Sequence, residues 1–181
     1  MQLMRELFGR RVLKTVLSLS LAGGLLAALF ANSVARQSYE QSGVVVAGHP
    51  RVVDGDSLEF AGVHVRLEGI DAPELGQRCR HRRSRAWPAG RAAQNALRSM
   101  IAGRAVRCRA VGRGKYGRIL GNCSIADLEL NSEMVRRGFA WAFTRYSDSY
   151  VAEEEVARRN RVGIWRHRCL PAWRYRVRAG A

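Results

Sequence analysis

The chain has 181 residues, 31 Lys+Arg against 15 Asp+Glu, a net charge of +16 and 47% hydrophobic residues. One core with extras is feasible at that length; intrinsic disorder, a collagen-like repeat, a coiled coil and a multi-span membrane protein are excluded. Lys14 and Lys115 are the only lysines, the Arg excess is spread along the chain, and such a field favours polyanions, either nucleic acid or an anionic membrane surface.

Arg5, Arg10, Arg11 and Lys14 precede an uncharged, mostly apolar run over residues 15–35 that closes on Ser33-Val34-Ala35. A basic region, an apolar stretch and small residues at its end make a signal peptide. The same run would just span a bilayer, so residues 1–35 are read as a signal peptide or an N-terminal membrane anchor. Both readings predict an exported protein, periplasmic or secreted, and the second attaches it to a membrane through residues 15–35. Residues 36–42 read as a linker, 43–168 as the folded domain and 169–181 as a basic C-terminal extension.

Residues 43–53 form a kinked β-branched run, and Asp54-Gly55-Asp56 is a turn signal. A strand follows over 57–60. Val63, Val65 and Leu67 then alternate with His64 and Arg66, the pattern of a half-buried strand. Pro73 takes the chain out of the sheet. An Arg-laden loop leads to a helix over 90–102, closed by Gly103. Strand-like runs over 105–111 and 119–125 flank the basic loop 112–118. A helix over 130–137, an irregular aromatic stretch over 139–146 and an amphipathic helix over 150–160 complete the pattern. The order predicts an α+β fold, a small five-stranded barrel with helices attached.

Export places the four cysteines in an oxidising compartment, and none has zinc-ligand spacing. A hairpin between the two later runs would pair Cys108 with Cys123, leaving Cys79 to bond Cys169. Trp165 and Trp173 read as core cover, Asn131 as a backbone-bonding residue, and His64, His81 and His167 as surface or solvated residues.

Six of the 14 acidic residues beyond position 35 fall between Asp54 and Glu74. Asp56, Asp71 and Glu74 sit at turns, where side chains can converge on a hard divalent cation such as Ca²⁺. Arg66 and Arg118 suit phosphate oxygens, because a guanidinium fork matches them at two points. A cation and two guanidiniums stabilise the charge that develops as water attacks a phosphodiester, while a carboxylate handles the water. Tyr116 and Tyr146 could stack on bases.

Val53-Asp54-Gly55-Asp56-Ser57, then Arg66-Leu67-Glu68-Gly69-Ile70-Asp71-Ala72-Pro73-Glu74, then Lys115-Tyr116-Gly117-Arg118, then Leu130-Asn131 and Val135 with Gly138, resemble the staphylococcal nuclease (thermonuclease) family. The resemblance implies a five-stranded OB-type β-barrel with three helices. It implies Ca²⁺-dependent hydrolysis of DNA and RNA to 3′-phosphate ends by an endonuclease, expected here as a monomer. Asp56, Asp71 and the Ala72 carbonyl would hold Ca²⁺, Glu74 would act on the water, and Arg66 and Arg118 would bind the scissile phosphate. Lys115, Tyr116 and Tyr146 would hold the flanking phosphate and nucleoside. Ser57 and Ala72 stand where family members carry Thr, and Thr144 where a second tyrosine stacks. The rival readings are a non-catalytic nucleic-acid-binding OB module and a membrane-attached interaction protein.

Overall fold

The computed structural model describes residues 43–80, 86–145 and 147–180. The leader, the linker, residues 81–85 of the Arg-laden loop (His81 among them) and Tyr146 therefore lie outside the described residues.

Alternating aliphatic positions build short strands: β1 (Val45–Gly48), β2 (Arg51–Val52), β3 (Ser57–Phe60), β4 (Val63–Leu67), β5 (Ile70–Asp71), β6 (Val106–Arg113), β7 (Ile119–Ile125), β8 (Leu128–Glu129) and β9 (Trp141–Ala142). A mixed sheet runs in the order β1-β6-β7-β4-β3-β2 with β8 added to β7, and β5 pairs with β9 separately. The hairpins β3–β4 and β6–β7 are antiparallel, whereas β4 and β7 run parallel, with Val65 opposite Ile119 and Arg66 opposite Leu120. Leu58, Val65, Leu67, Val106 and Cys108 point into the main core. Each fully buried aliphatic side chain of this kind contributes about 1.5–3 kcal/mol.

Four α-helices are present among the described residues: α1 (Ala89–Ile101), α2 (Leu130–Arg136), α3 (Val151–Arg159) and α4 (Ala172–Ala179). On α1, Ala93, Leu97, Met100 and Ile101 face the core at helical spacing. Left-handed Ala102 (φ 44°) ends it, with its N–H returned to the Arg98 carbonyl. Helix α3 carries Glu153 and Glu154 in its first turn and Arg158 and Arg159 in its last, as the helix dipole favours.

The α+β class matches expectation, but the element count differs from five strands and three helices. The pair His49-Pro50 divides the expected first strand into β1 and β2. The stretch expected to be irregular contains β9, whose two residues are too few to display periodicity. The basic C-terminal extension folds as α4. No helix among the described residues is long and apolar enough to cross a membrane.

Cys108 and Cys123 stand opposite one another in the β6–β7 register and are disulfide-bonded, as are Cys79 and Cys169. A second cluster of Trp141, Ile164 and Ala172 receives Trp87, Trp165 and Trp173, so both expected cover residues cover a core. His167, expected to be solvated, is stacked on Trp87 with ring centroids 4.5 Å apart.

Candidate active site

The Asp54-Gly55-Asp56 turn aims one carboxylate inward. Asp54 Oδ1 accepts the Asp56 N–H at 3.0 Å, closing the turn as its Asx chemistry favours. Gly55 lets that turn approach the rest of the site, because a Cβ there would lie 2.7 Å from the Cβ atoms of both Ala72 and Ala93. Asp56 is thereby buried, and its Oδ2 accepts the Ala72 N–H at 2.8 Å. That contact uses the Ala72 amide, not its carbonyl.

Strand β5 brings the second carboxylate. Pairing of Asp71 with Trp141 of β9 holds the backbone after Gly69, and Asp71 is fully buried. The Arg66 guanidinium on β4 spans the two acids, with Nη1 donating to Asp56 Oδ1 and Nη2 to Asp71 Oδ1, both at 2.7 Å. Charge-assisted hydrogen bonds of this length are among the strong ones.

Burial pushes the Asp56 carboxyl up to about 7 against the pull of Arg66, and Asp54 and Asp71 add repulsion. Burial alone would lower the pKa of Arg66, but Asp56 and Asp71 outweigh it and raise it. Asp56 needs positive charge beside it to stay ionised, and the Arg66 guanidinium is held charged by its acid partners.

Glu74 lies at the outer edge, its side chain 41% exposed. Its backbone is fixed closely. The Glu74 N–H donates to Gln77 Oε1 at 3.2 Å, the Gln77 N–H donates to the Glu74 carbonyl at 2.7 Å, and a Cβ on Gly90 would stand only 1.8 Å from that carbonyl oxygen. The start of α1 can therefore press against residue 74 only because position 90 is glycine.

Arg118 occupies the opposite situation. It immediately precedes the stretch of β7 that runs beside β4, and its buried Nε has no hydrogen-bond partner among the described residues. Lys115 and Tyr116 lie on the 3₁₀ turn Lys115–Gly117, with Tyr116 97% exposed and in the left-handed region at φ 60°. A non-glycine residue in that region is uncommon.

The structure thus joins Asp56, Arg66, Asp71 and Ala72 directly and leaves Lys115, Tyr116 and Arg118 on a separate loop. Glu74 enters the network through a residue that sequence reasoning missed. Arg176 of α4 donates from Nη1 to Glu74 Oε1 at 2.6 Å and to Asp71 Oδ1 at 3.1 Å, and from Nη2 to Asp71 Oδ2 at 2.9 Å. Gln77 was missed as well. It is buried, and its Nε2 donates to the Leu170 carbonyl at 2.6 Å, tying the Glu74 loop to the segment before α4. Pro171 and Gly180 around an eight-residue run are helix signals that the reading of 169–181 as a basic extension left unused. No pattern told which of Arg174, Arg176 and Arg178 would reach the acids.

Among the described residues, no group of three or more His, Cys, Asp or Glu stands placed to hold a metal ion unaided. The chemistry of Asp56 and Asp71 nevertheless fits one. They are two buried hard-oxygen donors from separate turns, compensated by guanidinium at the point where a cation would supply the same charge. A cavity of about 200 Å³ lined by His49, Arg51, Arg98 and Arg104, among others, shares no residue with this cluster.

The family model for staphylococcal nuclease homologues matches residues 64–167, so Asp56 and Arg176 both lie outside the matched span. The succinoglycan biosynthesis protein ExoI of Rhizobium meliloti is 36% identical over 67% of this chain and 65% of its own length. An uncharacterized endonuclease of Escherichia coli is 34% identical over 71% of this chain and 82% of its own. A probable staphylococcal-like nuclease of Oryza sativa, CAN1, is 28% identical over 69% of this chain but only 36% of its own. With most of the carboxylate–arginine cluster inside the matched span, the chain belongs to the staphylococcal nuclease family of phosphodiester hydrolases.

Proposed function

We propose that the protein is an exported, Ca²⁺-dependent endonuclease that hydrolyses DNA and RNA without strong sequence preference and leaves 3′-phosphate ends, working on an OB-type barrel as a monomer. The observation that carries this reading is the convergence of buried Asp56 and Asp71 on one guanidinium, with a second arginine, Arg118, just before the neighbouring strand, its buried Nε without a partner among the described residues. Carboxylates at that position would hinder the mere gripping of phosphate unless a cation offset them, which disfavours a non-catalytic binding module.

Asp56, Asp71 and the Ala72 carbonyl would hold the ion, which when bound supplies positive charge to a phosphoryl oxygen. Arg118 binds another oxygen of the scissile phosphate, and Arg66 turns part of its fork from the acids towards the same group. Glu74 accepts a proton from water as the water oxygen bonds to phosphorus. The P–O bond to the 5′ oxygen breaks, that oxygen leaves with the nucleoside it belongs to, and the phosphate stays on the 3′ side. Donors fixed in advance at developing charge lower the barrier most, because they need no reorganisation during the reaction. Lys115, Tyr116 and Tyr146 would contact the flanking phosphate and nucleoside.

Plasmid nicking with and without Ca²⁺ tests the reading. Nicking that stops in excess chelator and is lost in Arg118→Ala is expected. Undiminished nicking under chelator would remove the metal mechanism, and retention of plasmid without any cleavage would favour the binding module.

A further inference from the structure

The carboxylates assigned above to the ion and to the water are already engaged by a second guanidinium. Arg176 takes both oxygens of Asp71 and one of Glu74 at 2.6–3.1 Å. It comes from 105 residues downstream of Asp71.

The helix that carries it is fastened at several points. The Cys79–Cys169 disulfide ties its approach to the loop after Glu74, and Gln77 holds the Leu170 carbonyl. Ala172 is buried, and Trp173 sits edge-on to Trp141 at 6.1 Å and against Phe143 at 5.8 Å. A tether of this kind keeps the Arg176 guanidinium at high effective concentration beside the acids. The Arg176 side chain itself is 32% exposed and can leave without breaking the core.

We propose that α4 is an autoinhibitory latch, in which Arg176 stands on Asp71 and Glu74 and must withdraw before a divalent cation and the attacking water can use them. The inference rests on the reading of Asp71 and Glu74 given under the proposed function. A hard cation and a guanidinium seek the same oxygens, so each excludes the other at Asp71. The apparent affinity for the cation then falls by the fraction of molecules in which the latch is open.

Calorimetric titration of Ca²⁺ into the full, oxidised chain reads this directly, for wild type, Arg176→Ala and Arg176→Lys, with thermal melting to establish that each is folded. Removing the guanidinium is expected to tighten Ca²⁺ binding by about tenfold, corresponding to a latch open about a tenth of the time. Lysine, which has a charge but no fork, should fall between. Arg176→Ala should also nick plasmid at lower Ca²⁺ than wild type.

Unchanged or weaker Ca²⁺ affinity in folded Arg176→Ala overturns the latch, even where Ca²⁺-dependent nicking persists and the nuclease reading stands. Lost nicking at unchanged affinity overturns it too, and makes Arg176 a substrate-binding residue. If neither wild type nor variant binds Ca²⁺, the latch has nothing to exclude, and the metal mechanism fails with it. Should Arg176→Ala be unfolded, Arg176→Lys alone decides, and wild-type affinity in that variant counts against the latch.

Discussion

Arg66 lies on β4 and Arg118 immediately before β7, the parallel neighbour of β4, yet their surroundings are opposite. The first is largely buried and divides its fork between Asp56 and Asp71. The second follows a glycine-rich turn whose neighbours Lys115 and Tyr116 are exposed, and its buried Nε lacks a partner among the described residues. An arginine engaged by two carboxylates helps hold the site together, because without it buried Asp56 has no ion-pair partner among the described residues. A guanidinium whose buried Nε has no partner among the described residues costs stability rather than adding to it, and leaves that N–H for a ligand. One residue type therefore braces the acids on one strand and, in the proposed mechanism, binds phosphate at the entry to the next.

Substitutions that separate these roles should differ in kind. Arg66→Ala is expected to have the largest effect, losing both nicking activity and about 3 kcal/mol of stability because buried Asp56 is left without an ion-pair partner among the described residues; chemical denaturation beside a plasmid assay measures both. If it melts like wild type, the contrast is wrong. Arg118→Ala should slow cleavage at least about a hundredfold, roughly 3 kcal/mol in the barrier, with no loss of melting temperature. A parallel fall in stability would show Arg118 to be structural as well.

Asn131 links the two strands. Its side chain donates to the Glu68 carbonyl at 2.9 Å and the Gly121 carbonyl at 3.1 Å, and accepts the Cys123 N–H at 3.1 Å. Asn131→Ala leaves those buried groups unsatisfied and should cost about 2 kcal/mol in denaturation, with a smaller decrease in activity as the strands lose register. Fully wild-type stability would mean that the strand ladder alone fixes the spacing of the arginines.

Glu133, on the same helix but turned towards Arg136 and Arg137, should matter least. Burial raises its pKa, but hydrogen bonds from the two arginines outweigh this and lower it below the ordinary 4.5. The folded state therefore binds this proton less readily than the unfolded state does. The stabilisation is complete above pH 4.5 and is lost as pH falls through the lowered value. Glu133→Gln should be less stable than wild type by under about 1 kcal/mol at pH 7, with the gap closing in strong acid. A gap that widens in acid would reverse the sign.

Much of the site was legible because its acids and Arg66 lie in one short stretch, where turn residues and strand alternation are local signals. Asp54 closes its turn, and Cys108 meets Cys123 across a hairpin that β-branched runs foretold. Asn131 reads correctly for the same reason, standing at the start of a helix. Arg176 and Gln77 were illegible because their roles depend on where a distant helix docks, which no local period encodes. Gly55 and Gly90 look like ordinary turn and helix-start residues until the neighbouring backbone is in place. The exposed turn with Lys115 and Tyr116 was recognisable as a basic loop, but its separation from the carboxylates was not.

The disulfide between Cys79 and Cys169 has a consequence for the order in which the molecule matures. A growing chain emerges from its N-terminal side, so the strands bearing Asp56, Arg66 and Asp71 are synthesised before Cys169 exists. For that interval the nascent protein has its acidic cluster with one guanidinium, and the second arrives only with the closing thiol partner. Oxidative maturation would thus be the step that turns an open precursor into a silenced one.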